Sequence, residues 1–305
     1  MPNKSSTMHV HQMTIGQFEQ QFQDEDDCKS YLANNRWPTG VACPRCGNPD
    51  VTEHGTMEWH WNCYKCGDKG LSYRFSVLVG TIFENTNKPL RQWFRVMHMM
   101  LTSKKGISAL QVYRVMGFGS YSTALNMCNK IRAALSQSEF KQLVGYVEVD
   151  ETFIGGKKIN KHKKDRDNWP KGGTGGKSVV VGAVQRKGNV IARVIDSVNL
   201  KTLDRFVNEV VSHKVSLIST DEFRGYRNLW KLGTHKTVCH SAGQYVNGAV
   251  HTNTIEGFWS LVKRGVMGTF HKVSRKYLPL YVAEFEFRYN HRFNADIFGA
   301  AIRAC

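Results

Sequence analysis

Cys43, Cys46, Cys63 and Cys66 form the pattern C-x2-C-x16-C-x2-C, and no other feature of this 305-residue chain restricts its folding so tightly. A tetrahedral zinc ion takes four thiolates at about 2.3 Å, and each C-x-x-C turn presents two of them from one small knuckle. Two knuckles close the coordination sphere, so the spacing predicts one structural Zn2+ rather than a catalytic one. Gly47 and Gly67 directly follow the second cysteine of each pair, where the chain must bend back sharply. His54 and His60 lie between the knuckles and read as surface residues, because four cysteines already fill the site. Cys28, Cys128, Cys239 and Cys305 are scattered. The first residues, MPNKSSTMHVHQM, lack the apolar centre of a signal peptide, so metal binding explains the cluster better than disulfides do.

Charge points to the partner. Lys and Arg number 42 against 25 Asp and Glu, a formal net charge of +17. Such an excess favours a polyanion, since each cation near a phosphate displaces a condensed counterion. No apolar run approaches the ~20 residues that span a bilayer. The expectation is a cytoplasmic, nucleoid-associated protein with a polyanionic partner and no membrane association, or else a basic surface without such a partner. The stretch Lys157–Lys177, rich in Lys, Gly and Asn, reads as a mobile loop whose lysines either grip DNA or are simply solvated.

Periodicity divides the remainder. Ile15, Phe18, Phe22, Tyr31 and Leu32 predict one or two short helices over 14–34. Leu90, Trp93, Phe94, Met97 and Leu101 recur at helical steps behind Pro89. Ile107–Met116 and Tyr121–Leu135 read as two further helices around Gly117-Phe-Gly-Ser120. In the second, Ala124, Cys128, Ile131 and Leu135 form the apolar stripe, with Asn126, Asn129, Lys130 and Arg132 pointing elsewhere. The trio fits a helix-turn-helix-like DNA-binding unit or a plain helical linker. After Val144 strands dominate: Tyr146–Asp150, then runs from Ser178 and Val190 joined by Arg186-Lys-Gly-Asn. A helix over 200–212 follows, then Val215–Asp221, a short strand over His235–His240, and helices from Thr252 onward, broken near 265–274.

Asp150 and Asp221 each end a strand and each precede a glutamate. Carboxylates at the ends of neighbouring strands are hard oxygen ligands that Mg2+ prefers, although an isolated strand-end aspartate is equally a turn residue or helix cap. In HTNTIEGFWSLVKRG, Glu256 and Lys263 are seven apart, which places them two turns apart on one helix face. That pairs a metal-ligating carboxylate with a phosphate-seeking lysine, or two surface charges at a common spacing.

The segments VEVDETFIGGK, STDEFRGY and HTNTIEGFWSLVKRG resemble the three catalytic blocks of DDE transposases. Together with RWPTGVACPRCG and EFEFRYNHR they resemble the bacterial insertion-sequence enzymes with an N-terminal zinc ribbon, related to the Merlin transposases, over nearly the whole chain. The resemblance implies an α+β multidomain chain with a ribonuclease H-like mixed-sheet catalytic core. The expected order is an N-terminal helical segment (1–35), zinc ribbon (36–80), helix-turn-helix-like unit (81–140) and catalytic domain (141–305). It implies that Asp150, Asp221 and Glu256 hold two Mg2+ or Mn2+ ions, with Lys263 the basic residue after the third acid. In related groups the third position is also read as Asn or His, which keeps Asn253 and His251 as alternatives. Glu256 is the better hard ligand and alone pairs with Lys263. The implied activity is hydrolysis that frees a 3′-hydroxyl at an element end, followed by attack on target DNA. The ribbon and helices are expected to recognise terminal inverted repeats, and a dimer at least to join two ends. A regulator with an inactive core, or a nuclease that cuts without joining, are the other classes these residues permit.

Overall fold

The computed structural model describes residues 13–67, 70–137, 141–156, 162–163, 175–227, 229, 234–238 and 250–305. Cys239, His240 and most of the 157–177 stretch lie outside them. Two compact units emerge, one of residues 1–138 with 291–305, the other of residues 139–290. The sequence reading ran the catalytic region to 305, whereas the last helix packs with the first unit.

The first unit opens with helices α1 (Ile15–Gln21) and α2 (Glu25–Arg36). Their starts are written locally: Thr14 and Asp24 each form a capping box with the residue three ahead. A three-stranded antiparallel sheet follows, β1 (Thr52–Glu53), β2 (His60–Cys63) and β3 (Tyr73–Ser76). Then come α3 (Leu90–Thr102), α4 (Ala109–Met116) and α5 (Tyr121–Leu135). Ser108 and Ser120 cap α4 and α5, and Gly117 ends α4 at φ 62°, the left-handed conformation that glycine adopts without strain. The core is aromatic: Phe22 sits 5.1 Å from Phe94, and Phe94 5.5 Å from Phe298 in the C-terminal helix Ile297–Arg303. One expectation is corrected on α5. Asn126 and Lys130 are exposed, but Arg132 is 0% exposed and donates to Asn129 Oδ1 at 3.3 Å. Arg132 stands one residue after Ile131 of the stripe and three before the helix ends at Leu135.

The second unit is built on one mixed sheet of five strands: β4 (Leu143–Ile154), β5 (Ser178–Gln185), β6 (Val190–Ile195), β7 (Val211–Asp221) and β8 (His235–Val238). The spatial order is β6-β5-β4-β7-β8. The first three strands run antiparallel as a meander, and β7 and β8 join parallel to β4. A parallel strand needs a crossover, and α6 (Leu200–Val210) supplies it. Strand β4 is longer than Tyr146–Asp150 because its hydrophobic alternation continues through Glu151-Thr-Phe-Ile.

Alternation along the central strands sends side chains to two cores. Val147, Val149, Val181 and Ile218 pack against Leu203, Phe206 and Val207 of α6. On the opposite face Ile154, Val180, Val184 and Ala192 meet α7 (Asn253–Gly265) and α8 (Leu278–Asn290), through Ile255, Phe258, Trp259, Val262 and Phe285. Between α7 and α8 lies a single π-helical turn, Val266–Phe270, at the break read from the sequence. Edge strand β6 is not left bare. Glu286 Oε2 of α8 accepts from Ala192 N at 3.0 Å, and Asn290 Oδ1 from Val190 N at 2.7 Å, which blunts the edge for further pairing. This is an α+β chain with a four-cysteine ribbon, helices and a five-stranded mixed sheet of ribonuclease H-like character.

Candidate functional site

The ribbon brings its four thiols together. All four sulfur atoms lie within 4.8 Å of one another, with Cys43 Sγ to Cys66 Sγ and Cys46 Sγ to Cys63 Sγ both 3.8 Å. A tetrahedron with arms of about 2.3 Å has edges of about 3.8 Å, so the donor set fits zinc. Gly47 takes φ 70° behind Cys46. At Gly67 the constraint is space, since an added Cβ would lie 1.4 Å from the Leu71 carbonyl oxygen. His54 and His60 stay outside the cluster. His54 Nδ1 accepts from Met57 N at 3.2 Å in its own turn, and His60 Nδ1 lies 2.8 Å from the Glu58 carbonyl oxygen.

The carboxylates gather in the second unit by register. Glu148 of β4 pairs with Ser219 of parallel β7, and two residues further along each strand stand Asp150 and Asp221. Period-two alternation puts both on the face covered by α7. Asp221 closes β7 with a turn, its Oδ1 accepting from Phe223 N at 3.1 Å. Helix α7 carries Glu256 in its first turn and Lys263 in its last. A cleft of about 370 Å³ is lined by Asp150, Glu151, Thr152, Glu256, Trp259 and Lys263, among others. Asn253 and His251 do not line it.

The acids act on one another electrostatically. Burial pushes the Asp150 carboxyl up from 3.8 to about 7, and the negative charges of Glu151, Asp221 and Glu256 push the same way. Asp150, Asp221 and Glu256 offer the hard oxygen donors that a divalent cation such as Mg2+ prefers. Glu151 points to the other face of the sheet. Burial raises it, while the Tyr226 hydroxyl, donating to Glu151 Oε2 at 2.5 Å, holds it down.

What positions α7 is a residue the sequence reading did not single out. Glu148 is 0% exposed. Its carboxylate accepts from Arg186 Nε at 2.6 Å, from the backbone N–H groups of Thr254 at 2.7 Å and Ile255 at 3.1 Å, and from Thr254 Oγ1 at 2.9 Å. His251 Nδ1 lies 3.1 Å away, and Arg186 also donates to the His251 carbonyl at 3.1 Å. Helix α7 has no side-chain cap of its own at Thr252. The buried anion of β4 does the work of an N-cap from the sheet and complements the helix dipole. Thr252, freed from capping, donates from Oγ1 to Glu256 Oε1 at 2.8 Å. The one sequence signal for Glu148 is a charge set between Val147 and Val149, on the same face as Asp150.

Comparison with known proteins fits this geometry. Residues 142–290 match the ISXO2-like transposase domain, and residues 23–69 match the transposase zinc-ribbon domain. The transposase-domain match begins one residue before β4 and ends with α8, so it spans the five-stranded sheet together with Asp150, Asp221 and Glu256. The ribbon match takes in α2 as well as the four cysteines. The chain is also 28% identical over 282 residues to an uncharacterised protein in transposable element ISH50 of Halobacterium salinarum, covering 88% of this chain and 91% of that protein. A transposase domain of the DDE type implies a polynucleotidyl transferase that binds DNA and uses divalent metal. No helix among the described residues is long and apolar enough to cross a membrane.

Proposed function

We propose that this protein is the transposase of an insertion sequence, which binds the terminal inverted repeats, hydrolyses a phosphodiester at the element end and transfers the freed 3′-hydroxyl to target DNA. What supports the proposal is the placement of Asp150 of β4 and Glu256 of α7 in one cleft, with Asp221 two residues past the Glu148–Ser219 pair on β7, inside the span that matches a transposase domain. Asp150 and Asp221 are the firm pair, and Glu256 is the third ligand in preference to Asn253. Two divalent ions held there supply Lewis acidity at the attacking and leaving oxygens of the phosphodiester.

The chain's own groups do the rest. Glu148 fixes the start of α7 against β4, which sets the distance from Glu256 to Asp150. Thr252 orients the Glu256 carboxylate. Lys263, two turns along the same helix, holds the DNA backbone by charge rather than reading bases. The ribbon, with α4 and α5, offers exposed Tyr64, Asn126 and Lys130 for recognition of the repeats, and an assembly of at least two chains joins two ends. The likeness to a protein of transposable element ISH50 supports a mobile-element origin.

The test incubates purified protein with labelled end-containing DNA, Mg2+ and a target plasmid. Joined products support the transposase. Cutting without joining points to a nuclease, and binding without either reaction points to a regulator with an inactive core.

A further inference from the structure

Two buried polar atoms beside the carboxylates have no hydrogen-bond partner: Trp259 Nε1 and Thr152 Oγ1. Trp259 is 3% exposed and Thr152 2%, and both residues line the cleft that holds Asp150 and Glu256. Orphaned donors at such depth are rare, because each forfeits its hydration without return. Thr152 stands two residues past Asp150 on the same face of β4, and Trp259 one turn past Glu256 on α7. The tryptophan is held in register with the acids. A Cβ on Gly182, the residue directly across from Asp150, would lie 2.7 Å from Trp259 Cζ2, the ring atom next to the N–H edge. Glycine at this one strand position lets the indole lie on the sheet beside Asp150.

We infer that Trp259 Nε1–H and Thr152 Oγ1–H form a donor pair for a non-bridging oxygen of a phosphodiester. This rests on the proposed function and adds a subsite to it. An indole N–H donates and never accepts, so the ligand atom it meets is an acceptor. Lys263 in the same cleft is likewise donor-only and cationic, whereas Asp150 and Glu256 are acceptors suited to cations. A group that is anionic, rich in acceptors and able to share a cation with carboxylates satisfies both sets, and a phosphodiester is that group. Donors fixed in a dry site before the ligand arrives need no reorganisation during reaction, which is where they are most effective.

The experiment uses the full chain in Mg2+ and reads the indole N–H resonances by NMR. The Trp259 signal is assigned by its loss in Trp259→Phe. Dimethyl phosphate, the smallest phosphodiester, is the probe. The expected result is a saturable downfield shift of the Trp259 signal that Thr152→Val weakens. Thr152→Val removes a hydroxyl without a partner at constant shape, so its melting temperature is expected to hold or rise while metal-dependent DNA cutting slows about tenfold. A structural role alone would lower the melting temperature instead. A signal that stays in place at high dimethyl phosphate overturns the inference, as does cutting at wild-type rate by both variants. If the signal shifts but the unsubstituted chain neither cuts nor joins DNA, the subsite stands and the transposase reaction fails.

Discussion

The two candidate metal-binding constellations are built in opposite ways. The ribbon's ligands span 24 residues of sequence, Cys43 to Cys66, and close into a cluster whose sulfurs are all within 4.8 Å. The carboxylates come from two strands and a helix, with Asp150 and Glu256 separated by 106 positions, and these two border an open cleft of about 370 Å³. A closed soft site has no position for substrate and can only hold structure. An open hard site leaves room for an oxygen of the substrate. The first is written in spacing. The second exists only once β4 and β7 lie side by side.

That contrast is sharpest at the ribbon. Cys46→Ser, or a chelator, is expected to remove one zinc per chain and with it folding free energy on the order of 10 kcal/mol from residues 43–76. Zinc content and protease cleavage within that segment report the loss. Retention of ordered structure there without zinc would break the distinction. In the catalytic unit, Asp221→Ala is expected to leave the fold intact and to lower metal-dependent cutting about 1,000-fold. Glu256→Ala should approach that loss, and Asn253→Ala should stay within about twofold of the parent. The reverse order for these two would move the third ligand and leave the aspartates in place.

Smaller effects probe the supports. Glu148→Gln takes the buried charge from Arg186 and from the start of α7, with an expected cost of about 3 kcal/mol in denaturant unfolding. A change under about 0.5 kcal/mol would show that α7 holds its place without that anion. Glu286 provides the pH test. Burial pushes its carboxyl up from 4.5 to about 7, against the Ala192 N–H and Arg193, which hold it down. The folded chain therefore keeps a proton that the unfolded chain releases between about 4.5 and 7, so stability falls as pH rises through that window and is level above it. The loss is at most about 3 kcal/mol, and Glu286→Gln is expected to flatten it. An unchanged slope in the variant would assign the window to another group. Least affected is His54→Ala, which loses the turn contact at Met57 for about 1 kcal/mol and keeps its full zinc content.

Helix starts show why part of the molecule was legible and part was not. Thr14, Asp24, Ser108, Ser120 and Asn199 cap the helices that follow them through side-chain bonds spanning two or three residues. Helices α3 and α7 have no such cap. Glu25 accepts from Leu90 N at 2.6 Å and Glu148 from Thr254 N at 2.7 Å, across 65 and 106 positions. Local periodicity announces that these helices exist, and nothing local announces what holds their first turns. Arg132 illustrates the same limit, since its helical phase does not reveal that it is completely buried.

By itself, the sequence determined the zinc ribbon, the strand and helix order of the mixed sheet, and Asp221 at a strand end, because each rests on spacing or period within a few turns of chain, whereas Asp150, also expected at a strand end, lies inside β4, which runs on to Ile154. Only the tertiary structure decided that Glu148 anchors α7, that Thr252 turns from capping to Glu256, and that Trp259 lies on Gly182 beside Asp150. Those arrangements depend on register between strands and on a helix packed across them. Glu148 meets the start of α7 and Gly182 meets Trp259 across more than 70 positions, and the burial of charge and donors between them is something no local pattern encodes.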